Sequence, residues 1–397
     1  MSGGFPGYRR WRLGLVAVCV LAWALAMRES ASRRAGDLSH ETAAVPERVV
    51  LAGSGPVMSR ISAGSPAPSV HSATAVELAD GTIRAYWFAG SREGASDVAI
   101  WSAAWRGGRW GVPERVVDRD QVSRGTRRLV RKLGNPVAHV GKDGRVTLFV
   151  VSVSLGGWSG SAVNRLVLDS AGTRIGSMSR LVASPVLNLG TLVRGAALDG
   201  PEGEVLLPAY HETIKKFPQL LRVGRDGRVL TRGGPMVRGD LFQPWMLGSR
   251  EAGWDLFLRR GEGKEAKVYH SHQHGAAEGA WSDPAPIPVA NPNAGISALR
   301  LDDGTLLLAA NPDPDSRENL VLLRAATPGG PWEEVFTVDS SAREEDERDL
   351  PRVEYSYPWL MRDAGGTVHL FYTWNRREIR HWRLGQEDLT GERREAR

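Results

Sequence analysis

A histidine and a glutamate stand side by side at positions 211 and 212, after a short apolar run. A histidine beside a carboxylate can donate and accept protons near neutral pH, so His211 and Glu212 are candidates for general acid–base chemistry. His211 could equally serve as a hydrogen-bonding ligand for hydroxyls. Trp158 follows two glycines, which let a ligand approach the indole face closely, and it is a candidate stacking platform.

Two arginines, Arg259 and Arg260, directly follow the apolar run that ends at Leu258. A charge next to a buried strand costs free energy unless it faces a polar cavity, so this placement favours a functional arginine. The 14 tryptophans outnumber the 8 phenylalanines and 7 tyrosines. An indole N–H needs a hydrogen-bond partner, so tryptophan is unusual as simple core filling.

The elements that position these residues are short strands, since no long amphipathic helix is evident between 46 and 385. A turn glycine followed by an apolar strand recurs six times, at Gly81, Gly144, Gly203, Gly253, Gly304 and Gly366. The intervals are 63, 59, 50, 51 and 62 residues, which is enough for four strands of about 5–6 residues with their turns. The pattern predicts an all-β fold, a six-bladed β-propeller over residues 46–385, with a disordered tail at 386–397.

A second turn element, Gly-x-Trp or Gly-Pro-Trp, closes several repeats and contains Trp110, Trp281 and Trp332. We interpret these turns as degenerate Asp-box motifs, in which the tryptophan packs on the outer hairpin of a blade. Their role is therefore expected to be structural.

The N-terminus is typical of a targeting segment. Arg9, Arg10 and Arg12 precede an apolar run from Leu13 to Met27, whose 15 residues fall short of the ~20 of a membrane-spanning helix. Residues 1–28 are predicted to be a signal peptide or an uncleaved membrane anchor, followed by a flexible linker at 29–45. We therefore expect an exported protein that is periplasmic, secreted or held at the outer face of the cytoplasmic membrane.

Charge and cysteine content exclude several classes of function. The net charge of +6 includes the three N-terminal arginines, and the remaining +3 (6 − 3) gives no nucleic-acid footprint. A basic cluster runs from Arg124 to Lys132, and a solvated loop is its simplest interpretation. The single cysteine, Cys19, lies in the targeting segment, which leaves the domain without thiol chemistry. No cofactor and no metal are expected, and a membrane contact only through an uncleaved anchor.

Several segments together carry a family resemblance. They are His71-Ser72-Ala73-Thr74, Trp87 to Gly94, Gly156 to Ser161, Leu207 to Glu212, Asn291-Pro292-Asn293, Arg317-Glu318-Asn319-Leu320 and Tyr355-Ser356-Tyr357-Pro358. Over residues 65–382 the chain resembles bacterial sialidase-like proteins with BNR, or Asp-box, repeats. The resemblance implies a glycan or oligosaccharide substrate at the funnel of the propeller.

Sialidases are the glycosidases that use a tyrosine nucleophile, because the anomeric carbon of their substrate carries a carboxylate. The resemblance implies that Tyr355 is the nucleophile and Asp97 the acid/base. It also implies that Arg317 and Arg259 hold the carboxylate of the sugar, since a guanidinium matches a carboxylate with two parallel hydrogen bonds.

Two positions depart from the family pattern. His71 lies where a first-blade arginine is expected, and Gln243 where a glutamate would activate the tyrosine.

Three functions follow as alternatives. The protein is an exo-acting sialidase that releases a terminal acidic sugar, a glycosidase for another sugar acting through His71, His211 and Glu212, or a non-catalytic glycan-binding propeller.

Overall fold

The computed structural model describes residues 55–62, 67–184, 188–200, 202–213, 215–235, 237, 239–249, 253–273, 280–341 and 353–390. The expected signal peptide or anchor and linker, residues 1–45, lie outside this part of the chain. Among the described residues no helix is long and apolar enough to cross a membrane.

The described chain forms six antiparallel sheets arranged as the blades of a propeller, which confirms the predicted fold. We number the strands β1 to β26 in chain order. From the centre outward, the first blade contains β2 (Ser69–Glu77), β3 (Ile83–Gly90), β4 (Ala99–Arg106) and β5 (Arg109–Trp110). The second blade contains β7 (Lys132–Val140), β8 (Val146–Val153), β9 (Ser161–Leu168) and β10 (Ile175–Arg180). The third blade contains β11 (Thr191–Val193), β13 (Val205–Glu212), β14 (Lys216–Val223) and β15 (Val229–Gly233). Two short strands, β6 (Glu114–Asp118) and β12 (Leu198–Asp199), pair with β4 and β13.

The last three blades repeat this order. The fourth blade contains β16 (Leu241–Ser249), β17 (Gly253–Arg260), β18 (Lys267–Gln273) and β19 (Ala285–Ala290). The fifth blade contains β20 (Ser297–Arg300), β21 (Leu306–Ala310), β22 (Asn319–Ala325) and β23 (Glu333–Ser340). The sixth blade contains β24 (Tyr355–Arg362), β25 (Val368–Trp374), β26 (Glu378–Leu384) and β1 (Val57–Arg60). The outermost strand of the sixth blade thus comes from the start of the described chain and pairs with β26, so the two ends of the propeller close the ring together.

Five of the six turn glycines lie before the second strand of a blade and Gly253 is the first residue of that strand; each has a positive φ, from 74° to 91°. Glycine adopts this conformation without steric cost, which explains the repeat in the sequence. The second strands are apolar because neighbouring blades cover both their faces. Phe149, Phe257 and Phe371, on β8, β17 and β25, are fully buried.

One helix, α1 (Arg119–Thr126), connects the first blade to the second. Asp118 caps its first turn by accepting a hydrogen bond from the backbone N–H of Gln121. At the other end of the chain, residues 386–389 form a 3-10 turn, and Leu389 is only 3% exposed. The described chain therefore continues to residue 390, beyond the predicted end of the domain at 385, and the rest of the predicted tail, residues 391–397, lies outside the described residues.

Candidate active site

The innermost strands of four blades each contain a β-bulge near their first residues. The register shifts lie between His71 and Thr74, Leu133 and Pro136, Phe242 and Trp245, and Ser356 and Trp359. Bulges re-aim side chains out of the regular alternation of a strand. Because all four lie at the same end of their strands, they line one mouth of the central channel, which we call the funnel.

Two tryptophans fill the channel below these bulges. The rings of Trp245 and Trp359 meet edge-to-face at 5.0 Å, and their indole N–H groups donate to the carbonyls of Ala298 and Ala75. The guanidinium of Arg194 lies 5.7 Å from each ring and 5.1 Å from the ring of Tyr357. Arg194 therefore lies between the tryptophans and the funnel.

Arg194 is 2% exposed, and its Nη2 donates to the Pro358 carbonyl at 2.6 Å. Its Nε and Nη1 have no hydrogen-bond partner among the described residues. Burial lowers the pKa of Arg194 to about 10, and the positive charge of Arg259 adds to this effect. The guanidinium stays charged at neutral pH, and its charge is incompletely compensated.

A chain of polar contacts surrounds the funnel on the side of the fourth to sixth blades. The Nη1 of Arg317 lies 3.8 Å from a carboxylate oxygen of Glu354, which also accepts from Nε of Arg376 at 3.1 Å. Arg376 in turn makes an ion pair with Glu93 of the first blade. These four side chains link the first, fifth and sixth blades through alternating charges.

The series of polar contacts continues into the third and fourth blades through Asn293. Its carbonyl accepts from Nη2 of Arg317 at 2.6 Å and from Nη2 of Arg259 at 2.5 Å. Arg259 also donates to Oε1 of Gln243 at 2.8 Å, and the Gln243 amide donates to the hydroxyl of Tyr210 at 3.3 Å. Two guanidinium groups from different blades thus converge on one backbone carbonyl.

His71 lies among these arginines with both ring nitrogens lacking a hydrogen-bond partner among the described residues. Its ring is 1% exposed and meets the Tyr357 ring edge-on at 4.5 Å. Burial lowers the pKa of His71 well below its ordinary value, and the charges of the nearby arginines lower it further. The imidazole is therefore neutral at physiological pH.

The structure brings His71, Gln243, Arg259 and Arg317 together, as the sequence analysis expected, but it does not bring Tyr355 to them. Tyr355 is fully buried in the apolar layer of the last blades, with its ring 6.4 Å from that of Tyr372. Tyr357, two residues later, has φ 54° in the bulge and faces His71 and Arg194. Of these two tyrosines, Tyr357 is therefore the one that contacts the residues of the funnel.

Asp97 is exposed on the loop between β3 and β4, where its carboxylate accepts from the backbone N–H and the hydroxyl of Ser91 at 2.9 and 3.0 Å. His211 and Glu212 do not form a pair. His211 stacks on Phe217 at 4.9 Å, and burial lowers the pKa of His211. Burial raises the pKa of Glu212, an effect that Lys216 and Arg259 oppose.

Trp158 lies at the mouth of the funnel, beside a cavity of about 460 Å³ that it lines with Glu93, Lys132 and Arg376. Its ring packs on the bulge of the second blade, where a Cβ added to Gly134 would come within 2.8 Å of the indole. Glycine at 134 is therefore required for the ring to take this position.

Sequence reasoning missed six residues of this site, namely Glu93, Arg194, Asn293, Glu354, Tyr357 and Arg376. One available signal was the prolines. Pro358 and Pro244 directly follow Tyr357 and Gln243, and a proline within an inner strand marks a bulge rather than a regular ladder. No comparable local signal marks Arg194. Within the described residues, no group of three or more His, Cys, Asp or Glu side chains could hold a metal ion.

The family model for the BNR repeat-like domain matches residues 81–370. The chain belongs to this family. No curated protein matches the BNR repeat-like chain by sequence.

Solved structures with a sialidase-like propeller match this BNR repeat-like chain closely in fold. A Dyadobacter fermentans protein of unknown function is 15% identical with a TM-score of 0.62, over 79% of this chain and 94% of that one. The NanB sialidase of Streptococcus pneumoniae is 11% identical with a TM-score of 0.62, over 82% and 70%. A leech intramolecular trans-sialidase, solved with 2,7-anhydro-Neu5Ac, is 12% identical with a TM-score of 0.62, over 84% and 71%. At these identities the likeness shows the fold.

Proposed function

We propose that the protein is an exo-acting glycosidase of sialidase type, which releases a terminal acidic sugar such as sialic acid from a glycan. The observation that carries this proposal is the convergence of Arg259 and Arg317 on the Asn293 carbonyl beside Tyr357. The Nε of Arg317 remains without a partner among the described residues. A carboxylate is the ligand that matches such a pair of guanidinium groups.

The roles follow from position. Arg259, Arg317 and Arg376 hold the carboxylate of the sugar, and Tyr357 attacks the anomeric carbon. Asp97, which the family resemblance implies as the acid, protonates the leaving oxygen. Its loop reaches the funnel through the ion pair of Glu93 with Arg376. Several solved structures of the same fold are sialidases, which supports this assignment.

The test compares two tyrosines of the same strand. Release of a fluorophore from an aryl α-sialoside is measured for the full chain, for Tyr357→Phe and for the matched control Tyr355→Phe. We expect turnover to be lost in Tyr357→Phe and largely kept in Tyr355→Phe, since the Tyr355 ring lies in the core. Undiminished turnover in Tyr357→Phe would exclude this nucleophile.

One observation favours a second candidate, a non-catalytic glycan-binding propeller. Gln243 bonds to Arg259 and Tyr210, so a neutral amide occupies the position where the family resemblance implies an activating glutamate. A tyrosine hydroxyl is a poor nucleophile at neutral pH without a base to take its proton. Sialoside binding that is lost in Arg317→Gln, without turnover in the unmodified chain, would support this candidate.

A further inference from the structure

The cavity at the mouth of the funnel lies apart from the converging arginines. It is formed by the first, second and sixth blades, and its lining includes Arg92, Glu93, Lys132, Trp158 and Arg376. Its volume of about 460 Å³ is in the range of pockets that take small ligands. Arg376 belongs to both places, since it contacts Glu354 in the polar chain of the funnel and also lines the cavity. A ligand held by the arginines could therefore extend directly into the cavity.

The lining of the cavity carries a net positive charge. Of its three cations, only Arg376 is neutralised within the lining, by its ion pair with Glu93. Arg92 and Lys132 have no carboxylate partner among the described residues. Two positive charges therefore face the cavity without compensation, which favours an anionic ligand over a neutral one.

Trp158 adds a flat apolar face to this positive site. Its position is fixed, because the ring packs against Gly134 where no side chain would fit. The combination of an indole face and unpaired cations suits a sugar ring that carries an acidic substituent.

The positive charge extends outward from Lys132. Arg124 lies on the last turn of α1, and Arg127, Arg128 and Arg131 lie between the helix and β7, all of them exposed. Since β7 begins at the funnel end of its blade, this segment lies on the same face of the propeller as the cavity. It continues the positive surface from the cavity to the rim of the second blade, as an extended anionic chain would require.

We infer that this cavity binds the leaving-group sugar of an acidic glycan, a sugar that carries its own carboxylate or sulfate. The inference rests on the proposed function, because it assigns the arginines of the funnel to the terminal sugar. It names the substrate class as a glycan with acidic groups on successive sugars.

The experiment measures affinity by calorimetry for an α-2,8-linked sialic acid dimer and for 3′-sialyllactose, whose leaving group is neutral. Tyr357→Phe serves as the background so that neither probe is consumed. Lys132→Gln is compared with Lys142→Gln, which removes an exposed charge from the turn after β7, at the opposite face of the same blade.

We expect the dimer to bind more tightly than sialyllactose. Lys132→Gln should weaken dimer binding about tenfold or more, the cost of a lost charge-assisted contact, and Lys142→Gln should not. The preference should also shrink as salt is raised from 50 to 500 mM.

Equal affinity for the two probes, or an equal effect of the two lysine variants, would overturn the inference and leave the proposed function standing. Absence of binding to either probe would overturn both. Binding to phosphatidylserine vesicles that depends on Lys132, with no preference for the dimer, would overturn the inference and assign the surface to a membrane instead.

Discussion

Two clusters of buried charge in this propeller differ in one respect. Between the fifth and sixth blades, Arg380 donates to Asp339 at 3.1 Å and to Glu378 at 3.2 Å, and its guanidinium lies 4.1 Å from the ring of Trp374. The hydroxyl of Tyr372 also donates to Asp339 at 2.5 Å. Each charged group in this cluster has an opposite charge in contact.

The funnel holds charges of the same kind with fewer partners. Arg194 makes one hydrogen bond, to the Pro358 carbonyl, and its other two nitrogens have none among the described residues. His71 has none at either ring nitrogen. Buried donors without partners cost stability. The comparison therefore separates a cluster whose charges are paired across two blades from one that keeps unused hydrogen-bonding capacity, which the proposed function assigns to a ligand.

The largest effect is expected when the satisfied cluster is broken. Asp339→Ala leaves Arg380 with less compensation, and we expect the free energy of unfolding to fall by about 3–5 kcal/mol. Denaturant titration checks this against Asp302→Ala, which removes an exposed partner of Arg362 and should cost less than about 1 kcal/mol. Equal losses in the two variants would refute the distinction.

A matched pair of arginine variants sharpens the comparison further. Arg380→Met removes the cation that pairs with Asp339 and should lower the free energy of unfolding by a few kcal/mol. Arg194→Met removes an incompletely paired cation and should leave the free energy of unfolding unchanged or raise it by about 1 kcal/mol. Thermal and denaturant unfolding measure both. A large loss in Arg194→Met would show that its contacts with Tyr357 and the tryptophans are structural.

The buried imidazole of His71 predicts a pH dependence of stability. Its pKa is lowered from 6.5 on folding, so the unfolded chain binds the proton more readily, and stability is lost as pH falls below about 6.5. Each such histidine contributes up to about 1.4 kcal/mol per pH unit, and His71→Phe should make the curve shallower between pH 5 and 6.5. His272→Asn, at an exposed histidine, is the control. If the dependence of stability on pH were unchanged in His71→Phe, the folded protein would bind a proton at His71 as readily as the unfolded chain does.

The smallest effect concerns the indole at the mouth of the funnel. Gly134→Ala places a Cβ within 2.8 Å of the Trp158 ring, so the ring must shift and glycan affinity should fall a few-fold. Gly157→Ala is the matched control, since its Cβ would meet nothing within 4 Å and its φ is −92°. Calorimetry with the sialic acid dimer compares them, and equal affinities would show that the position of Trp158 is unimportant.

The sequence was informative where the determinant is local. The six glycines need a positive φ in a turn, a property of one residue and its neighbours, and all six were found from the sequence and are confirmed. Trp110 likewise lies in the outer part of its blade, paired with Trp105, as the turn motif predicted.

The site depended on determinants that are not local. A bulge in β24 places Tyr357 against the residues of the funnel while Tyr355 stays in the core, and the alternation of the strand alone does not reveal this. Arg194 donates a hydrogen bond to a carbonyl 164 residues away. The next residue, Gly195, lies so close to the Pro244 carbonyl that a Cβ would not fit there. Contacts of this range follow from the closed ring of blades and have no counterpart in neighbouring residues.

The strand that closes the ring also determines the face of the propeller on which the described chain begins. Val57 pairs with Arg383 and Arg60 with Arg380, so β1 runs toward the funnel from the opposite side of the disc. The described chain therefore begins, at residue 55, on the face of the propeller opposite the funnel, and an attachment made there would leave the mouth of the funnel open.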